Sequence, residues 1–315
     1  MNSSTVSVPI STRPLRLLSA CRSLAAGDHV AGTPYTVQSS LCAGGMGQLY
    51  EVTHSTLGRR AVLKVLHERH FARSDYASRL QREARILAHL SGRRTPVVHD
   101  LGTLGDGRPY FVMERLDGAD LRTELSRHGV LSVPSAMRVT TELLFALAEV
   151  HDHGVVHRDV KLENVFLCED GRVVLLDFGV SQHDGDALHE TGPGVALGTP
   201  RSMAPEQISC ADADARSDVY AAGLVLYELC TGEGPFDDVG ATLHGLRLAH
   251  CNHRPPRPSR RSPQPVPDAI EAIIARALSK EPARRFASAR EMARAIQAVG
   301  RYPFDRDDEP TLVDD

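Results

Sequence analysis

A helical stripe that carries a carboxylate is the feature that most constrains this chain. Between Ser74 and Leu90, the residues Tyr76, Leu80, Ala84, Leu87 and Leu90 recur on one helix face, and Glu83 falls on that face between Leu80 and Leu87. A carboxylate turned toward a core must be paired, because burying it alone costs on the order of several kcal/mol. A basic group is therefore required from another element. The strand-like run AVLKVL supplies one, since Lys64 interrupts residues that are otherwise apolar. A lone lysine in a strand ordinarily faces solvent. A Lys64–Glu83 pair instead satisfies both charges and leaves the ammonium able to touch a phosphate.

Upstream, LCAGGMGQLYEV (Leu41–Val52) places Gly44, Gly45 and Gly47 between two strand-like runs. Glycines there let backbone amides approach a phosphate chain, although the same cluster alone would serve as a hairpin turn. From Tyr35 to Leu116 the order is strand, glycine turn, two strands, one helix and two more strands, which predicts a small, mainly antiparallel sheet carrying one helix. From Asp120 onward helices dominate. Val133–Asp152 is amphipathic, VYAAGLVLYEL (Val219–Leu229) is apolar nearly all round and so predicts a buried central helix, and Pro267–Leu278 and Ala287–Val299 close the domain. The fold class expected is α+β with two lobes, residues 34–114 and 117–300. Residues 1–33 predict a flexible or loosely docked leader, with the folded part starting near Tyr35, and the acidic residues 301–315 predict a flexible tail.

Bulk properties exclude several classes. The net charge of -4 gives no basic field for nucleic acid, and no apolar run is long enough to span a membrane. The amino terminus lacks the charge order of a signal peptide, and six cysteines without paired short spacing fit reduced thiols in a cytoplasmic protein. His151, His153 and His157 read as structural residues rather than a metal cluster.

The densest chemistry lies in GVVHRDVKLENVFL, with His157, Arg158, Asp159, Lys161 and Asn164, followed by VVLLDFGVS, with Asp177, Phe178 and Gly179. Phosphoryl transfer needs a carboxylate to orient the attacking hydroxyl, oxygen ligands for magnesium, and positive charge along the phosphates. Asp159, Asn164, Asp177, Lys64 and Lys161 make up that inventory.

In this order the segments resemble the protein kinase superfamily, and closely the bacterial eukaryotic-like serine/threonine kinases, over roughly residues 30–300. The resemblance implies a two-lobed kinase fold and an enzyme that transfers the γ-phosphoryl group of ATP to Ser/Thr hydroxyls of protein substrates. It implies Asp159 as the group that orients the acceptor, Lys161 as a neutralising charge, Lys64 on the nucleotide phosphates with Glu83 steadying it, and Asn164 and Asp177 as ligands of Mg2+, with Mn2+ as an alternative. Leu41, Ala43, Gly44, Gly45, Met46, Gly47, Leu49 and Val62 would surround the nucleotide. Met113 would limit the adenine pocket, and backbone groups near Glu114 and Leu116 would bond the purine edge. Glu206 in GTPRSMAPEQ is implied to pair with Arg285 in KEPARRF, and Asp218 to start the central helix and hold the catalytic loop. Phe178 and Gly179 complete the structural set.

Departures from the family pattern are Cys42 for the first loop glycine, Val62 for alanine, Leu162 for proline and Ser202 for tyrosine. Cys42 and Val62 keep a nucleotide-binding pseudokinase scaffold open as the alternative. The resemblance further implies that Arg158 receives an activating phosphate from the activation segment, with Thr191, Ser181 and, in another role, Thr199 as candidates. Thr311 in the tail is a candidate docking site for a phosphothreonine-binding partner, and a homodimer is suggested by family analogy alone.

Overall fold

Strand-forming residues between Tyr35 and Glu114 assemble a five-stranded sheet in the computed structural model, which describes residues 23–43, 46–71, 74–178, 200–239 and 242–300. The strands are β1 (Tyr35–Ala43), β2 (Gly47–His54), β3 (Arg60–Leu66), β4 (Val98–Thr103) and β5 (Pro109–Glu114), in the order β1-β2-β3-β5-β4. Every neighbouring pair is antiparallel. Apart from Arg60, β3 is buried along its whole length, which is why its sequence is an unbroken apolar run around Lys64. One face gathers Tyr50, Val52, Leu63, Val65, Tyr110 and Val112 into a core. Against the other lies α1 (Ser74–His89), whose Leu80, Ala84 and Leu87 cluster with Phe111 of β5, Val150 and Phe178.

Within the segment expected as a flexible or loosely docked leader, residues 24–33 are docked. Val30 is buried, Gly27 N–H donates to the carbonyl of Val37, Val37 N–H donates to that of Asp28, and Leu24 N–H reaches the Tyr50 hydroxyl. Residues 24–33 therefore fold back on β1, because pairing with a strand edge satisfies backbone groups in a segment too polar to announce itself by periodicity.

The second lobe opens with a small sheet of β6 (Gly118–Asp120), β7 (Val165–Cys168) and β8 (Val173–Leu175). Its helices are α2 (Leu121–His128), α3 (Val133–Asp152), α4 (Pro205–Ile208), α5 (Ala215–Thr231), α6 (Leu243–Asn252), α7 (Asp268–Ala277) and α8 (Ala289–Val299). Helix α5 is buried from Ser217 to Thr231, as its all-round apolar sequence requires. It begins at Ala215 with Asp214 as cap, and Asp218 lies in its first turn. Gly232 ends it in a left-handed conformation with φ of 84°, a stop that glycine adopts without strain. No helix among the described residues is long and apolar enough to cross a membrane.

Near the end of α6, His250 is buried, with Nδ1 3.0 Å from the Tyr220 hydroxyl and its ring edge-on to Phe236. Burial, and then the charge of Lys280, lowers His250 from 6.5 to about 3. As pH falls below about 6.5 the unfolded chain takes up a proton that the folded chain refuses, so this stabilisation is present above 6.5 and is lost progressively toward 3. Urea denaturation should show a loss of about 2 kcal/mol from this group between about pH 7 and pH 5, and His250→Gln should flatten that part of the profile.

Candidate active site

Strand alternation turns Lys64 toward α1, where Nζ donates to Glu83 Oε1 at 2.7 Å and to Asp177 Oδ1 at 2.5 Å. The pair required by the sequence is thus a three-membered bridge. Burial alone would lower Lys64, but Asp177 and Glu83 outweigh it and hold the ammonium's pKa above its ordinary value. Burial pushes Glu83 up, with Lys64 only partly offsetting it, whereas Lys64 holds Asp177 below the ordinary carboxylate range. Asp177 is 53% exposed, so it is open to solvent, while Phe178 beside it is buried against α1 and tilted onto the His157 ring at 5.0 Å.

The loop after α3 carries Asp159. Its Oδ2 accepts from Lys161 Nζ at 2.7 Å and from Asn164 Nδ2 at 2.9 Å. Asn164 Nδ2 also donates to the Asp159 carbonyl at 2.8 Å, which turns Oδ1 of the amide away from Asp159 as a free-standing oxygen donor. A hard divalent cation takes oxygen ligands, and the Asn164 amide and the half-open Asp177 carboxylate fit it. His157 is buried and held below its usual pKa first by that burial. Its Nδ1 accepts from Asp159 N–H at 3.3 Å and its Nε2 lies 3.1 Å from the Leu176 carbonyl, which is the pattern of a neutral ring protonated on Nε2.

Arg158 and Asp177 have φ of 67° and 47°, a region that disfavours side chains by about 1–2 kcal/mol each. Asp218 over-determines the first of these. Its carboxylate accepts N–H bonds from His157 and Arg158, both at 2.8 Å, and meets His151 Nε2 at 2.7 Å. Gln207 Nε2 holds the Arg158 carbonyl from the other side at 2.9 Å. Glu206 is bound by Arg285 through two parallel bonds of 2.6 and 2.7 Å and by Ser217 Oγ at 2.6 Å. Burial would raise Glu206, but the bonds from Arg285 and Ser217 dominate and lower it.

The nucleotide pocket predicted from sequence is partly described. Val62 and Met113 lie opposite each other on β3 and β5, and Leu49 lies opposite Lys64. Leu41 is exposed on β1, and the Met46 carbonyl accepts from His67 N–H at 3.0 Å. A Cβ on Gly47 would stand 2.7 Å from the Val65 carbonyl, so the approach of β2 to β3 requires glycine. Glu114 N–H is taken by the Val97 carbonyl at 2.9 Å, and Leu116 follows in the link to the second lobe. Cys42 and Ala43 end β1. Gly44, Gly45, Gly179, Ser181, Thr191, Thr199 and Thr311 lie outside the described residues.

The protein kinase domain profile matches residues 35–296. The chain belongs to the protein kinase family. This kinase domain is 38% identical over 277 residues to the serine/threonine-protein kinase pkn3 of Myxococcus xanthus, covering 85% of the chain and 50% of that protein. It is 36% identical over 266 residues to the serine/threonine-protein kinase PknE of Mycobacterium bovis, covering 84% and 46%. It therefore spans about half the length of these curated relatives. The crystal structure of the Mycobacterium tuberculosis PknI kinase domain superposes with a TM-score of 0.66 at 30% identity, covering 88% of this chain and 99% of that one.

Sequence reasoning missed Gln207, the seat of His157 and the partnership of His151 with Asp218. Gln207 and His157 stood inside quoted motifs, but their partners lie 49 and 19 residues away in sequence, and no local pattern reports such distances. Arg285→Ala would leave Glu206 as an unpaired buried carboxylate, and denaturant unfolding should show a loss of about 3–5 kcal/mol. Arg285→Lys should recover only part of it, because an ammonium cannot make both parallel bonds.

Proposed function

We propose that this kinase domain is an active serine/threonine protein kinase that transfers the γ-phosphoryl group of ATP to hydroxyls of protein substrates, including its own activation segment. The observation that carries this reading is the joined arrangement of Lys64, Glu83 and Asp177, with Phe178 seated beneath α1 and Asp159 bonded to Lys161 and Asn164. That arrangement supports the reading, because phosphoryl transfer depends chiefly on positioning such charges.

Lys64 would bind nucleotide phosphates and Glu83 would hold its direction. The segment around Gly44, Gly45 and Gly47 would offer backbone amides to the phosphates, and Val62 and Met113 would bound the adenine. Asp159 would orient the acceptor hydroxyl and receive its proton, with Lys161, 2.7 Å from its Oδ2, bringing positive charge to the transferred group. Asn164 and Asp177 would hold Mg2+, or Mn2+ in its place. Such a cation neutralises phosphate charge when bound. Arg158 would receive a phosphate made at Thr191 or Ser181, and Lys161 with Thr199 supports Ser/Thr over Tyr acceptors. A cytoplasmic location, a homodimer and a phosphothreonine-binding partner at Thr311 belong to the same reading.

Labelled ATP with magnesium and a generic acceptor protein tests it. The wild-type chain should label the acceptor and itself, while Asp159→Asn and Lys64→Met should lower the rate at least about a hundredfold without unfolding the protein. Transfer that is absent from wild type, or equal in Asp159→Asn, would establish the pseudokinase scaffold instead.

A further inference from the structure

The peptide unit that leads into Asp159 is held on both of its sides. Its carbonyl, on Arg158, accepts from Gln207 Nε2 at 2.9 Å, and its N–H, on Asp159, donates to His157 Nδ1 at 3.3 Å. The longer bond is the weaker of the two. Asp218 acts one peptide earlier, where it accepts the Arg158 N–H at 2.8 Å and so holds Arg158 at φ of 67°. A bond to that N–H does not fix the peptide that follows, whose rotation sets ψ of Arg158 and φ of Asp159. Gln207 is thus the stronger of the two holds on the rotation that decides where the Asp159 carboxylate stands. Its own mounting is rigid. Gln207 Oε1 accepts the Ala204 N–H at 3.0 Å across the first turn of α4, and the adjacent Glu206 is bound by Arg285 and by Ser217 of α5.

On the far side of Asp159, Lys161 and Asn164 bond its Oδ2, and Asn164 also bonds its carbonyl. In the kinase reading, on which this inference rests, Lys161 is drawn to the transferred phosphoryl group. The loop then loses one of those holds at the moment when Asp159 must face the acceptor hydroxyl. The bond from Gln207 is untouched by that exchange. We propose that Gln207 is a positioning residue for phosphoryl transfer, which through the Arg158 carbonyl sets the peptide before Asp159 and with it the direction of that carboxylate. Gln207 acts through Asp159 and takes no part in moving the proton. Seating of residues 204–207 by the Glu206–Arg285 pair and alignment of Asp159 are thus one event.

Gln207→Glu separates the two bonds of this side chain. A carboxylate keeps the oxygen that accepts from Ala204, as glutamate does at that place in a capped helix, but it has no hydrogen to give the Arg158 carbonyl. Transfer from labelled ATP with magnesium to a generic acceptor protein is followed on wild type, Gln207→Glu, Asp159→Asn and the double variant. Nucleotide affinity is read separately with a fluorescent ATP analogue, and the fold by thermal unfolding. Gln207→Glu should unfold at the wild-type temperature and bind the analogue equally, yet turn over about tenfold more slowly with KM for ATP unchanged. Added to Asp159→Asn it should lower the residual rate no further, because its effect runs through Asp159. A merely structural role would slow both backgrounds by the same factor. That equal slowing, or a Gln207→Glu rate within about twofold of wild type, would overturn the inference. Should Gln207→Glu fail to fold, Gln207→Met, which loses both bonds, carries the same kinetic expectation with a lower unfolding temperature. Absence of transfer by wild type would overturn the kinase reading and this inference together, whereas the outcomes above overturn the inference alone.

Discussion

The Lys64 ammonium lies between two carboxylates that reach it from different parts of the fold, Glu83 from the helix on the sheet and Asp177 from the strand end of the second lobe. Glu83, buried beside it, needs that cation, because without Lys64 it would be an unpaired buried carboxylate, while the exposed Asp177 takes a second of the ammonium's hydrogens. The placement of α1, the seating of Phe178 and the direction of Asp177 are therefore set together. Shifting α1 away would expose Leu80, Ala84 and Leu87 and strand Glu83 in the same motion. Hydrophobic packing and the ion bridge thus point to one arrangement, which is the consistency expected of a single preferred state.

In the second lobe the corresponding constraint is the buried carboxylate of Asp218. It grips the backbone before Asp159 in a conformation that side chains disfavour, and Gln207 secures the same residue from the segment that follows Pro205. Glu206, one residue before Gln207, is fixed by Arg285 from near the carboxyl end. Residues more than a hundred positions apart therefore bear on one loop. Rigidity there would serve the proposed chemistry, in which an acceptor hydroxyl meets the Asp159 carboxylate.

Much of this was legible before any coordinates. The stripe of α1 with Glu83 demanded a basic partner, and Lys64 answers it. The all-round apolar sequence of α5 announced a helix buried on every side, and α3 runs between the residues expected. Short elements were not legible: α2 and α4 span 8 and 4 residues, too few turns for a periodic pattern to stand out. Residues 24–33 escaped for another reason, because their order comes from backbone bonds to β1 and not from apolar spacing. Asp218 was legible as the residue that holds the catalytic loop, but its bond to His151 was not.

By itself the sequence determined the residue types that phosphoryl transfer needs, their order along the chain, and the two-lobed division into sheet and helices, because periodicity and motif spacing are local properties. Only the tertiary structure decided which charges meet. Lys64 joins Asp177 as well as Glu83, His151 serves Asp218, and Gln207 reaches the Arg158 carbonyl. Partner choice among charges depends on distance and burial in space, and those are set by packing between elements that the chain connects over long loops.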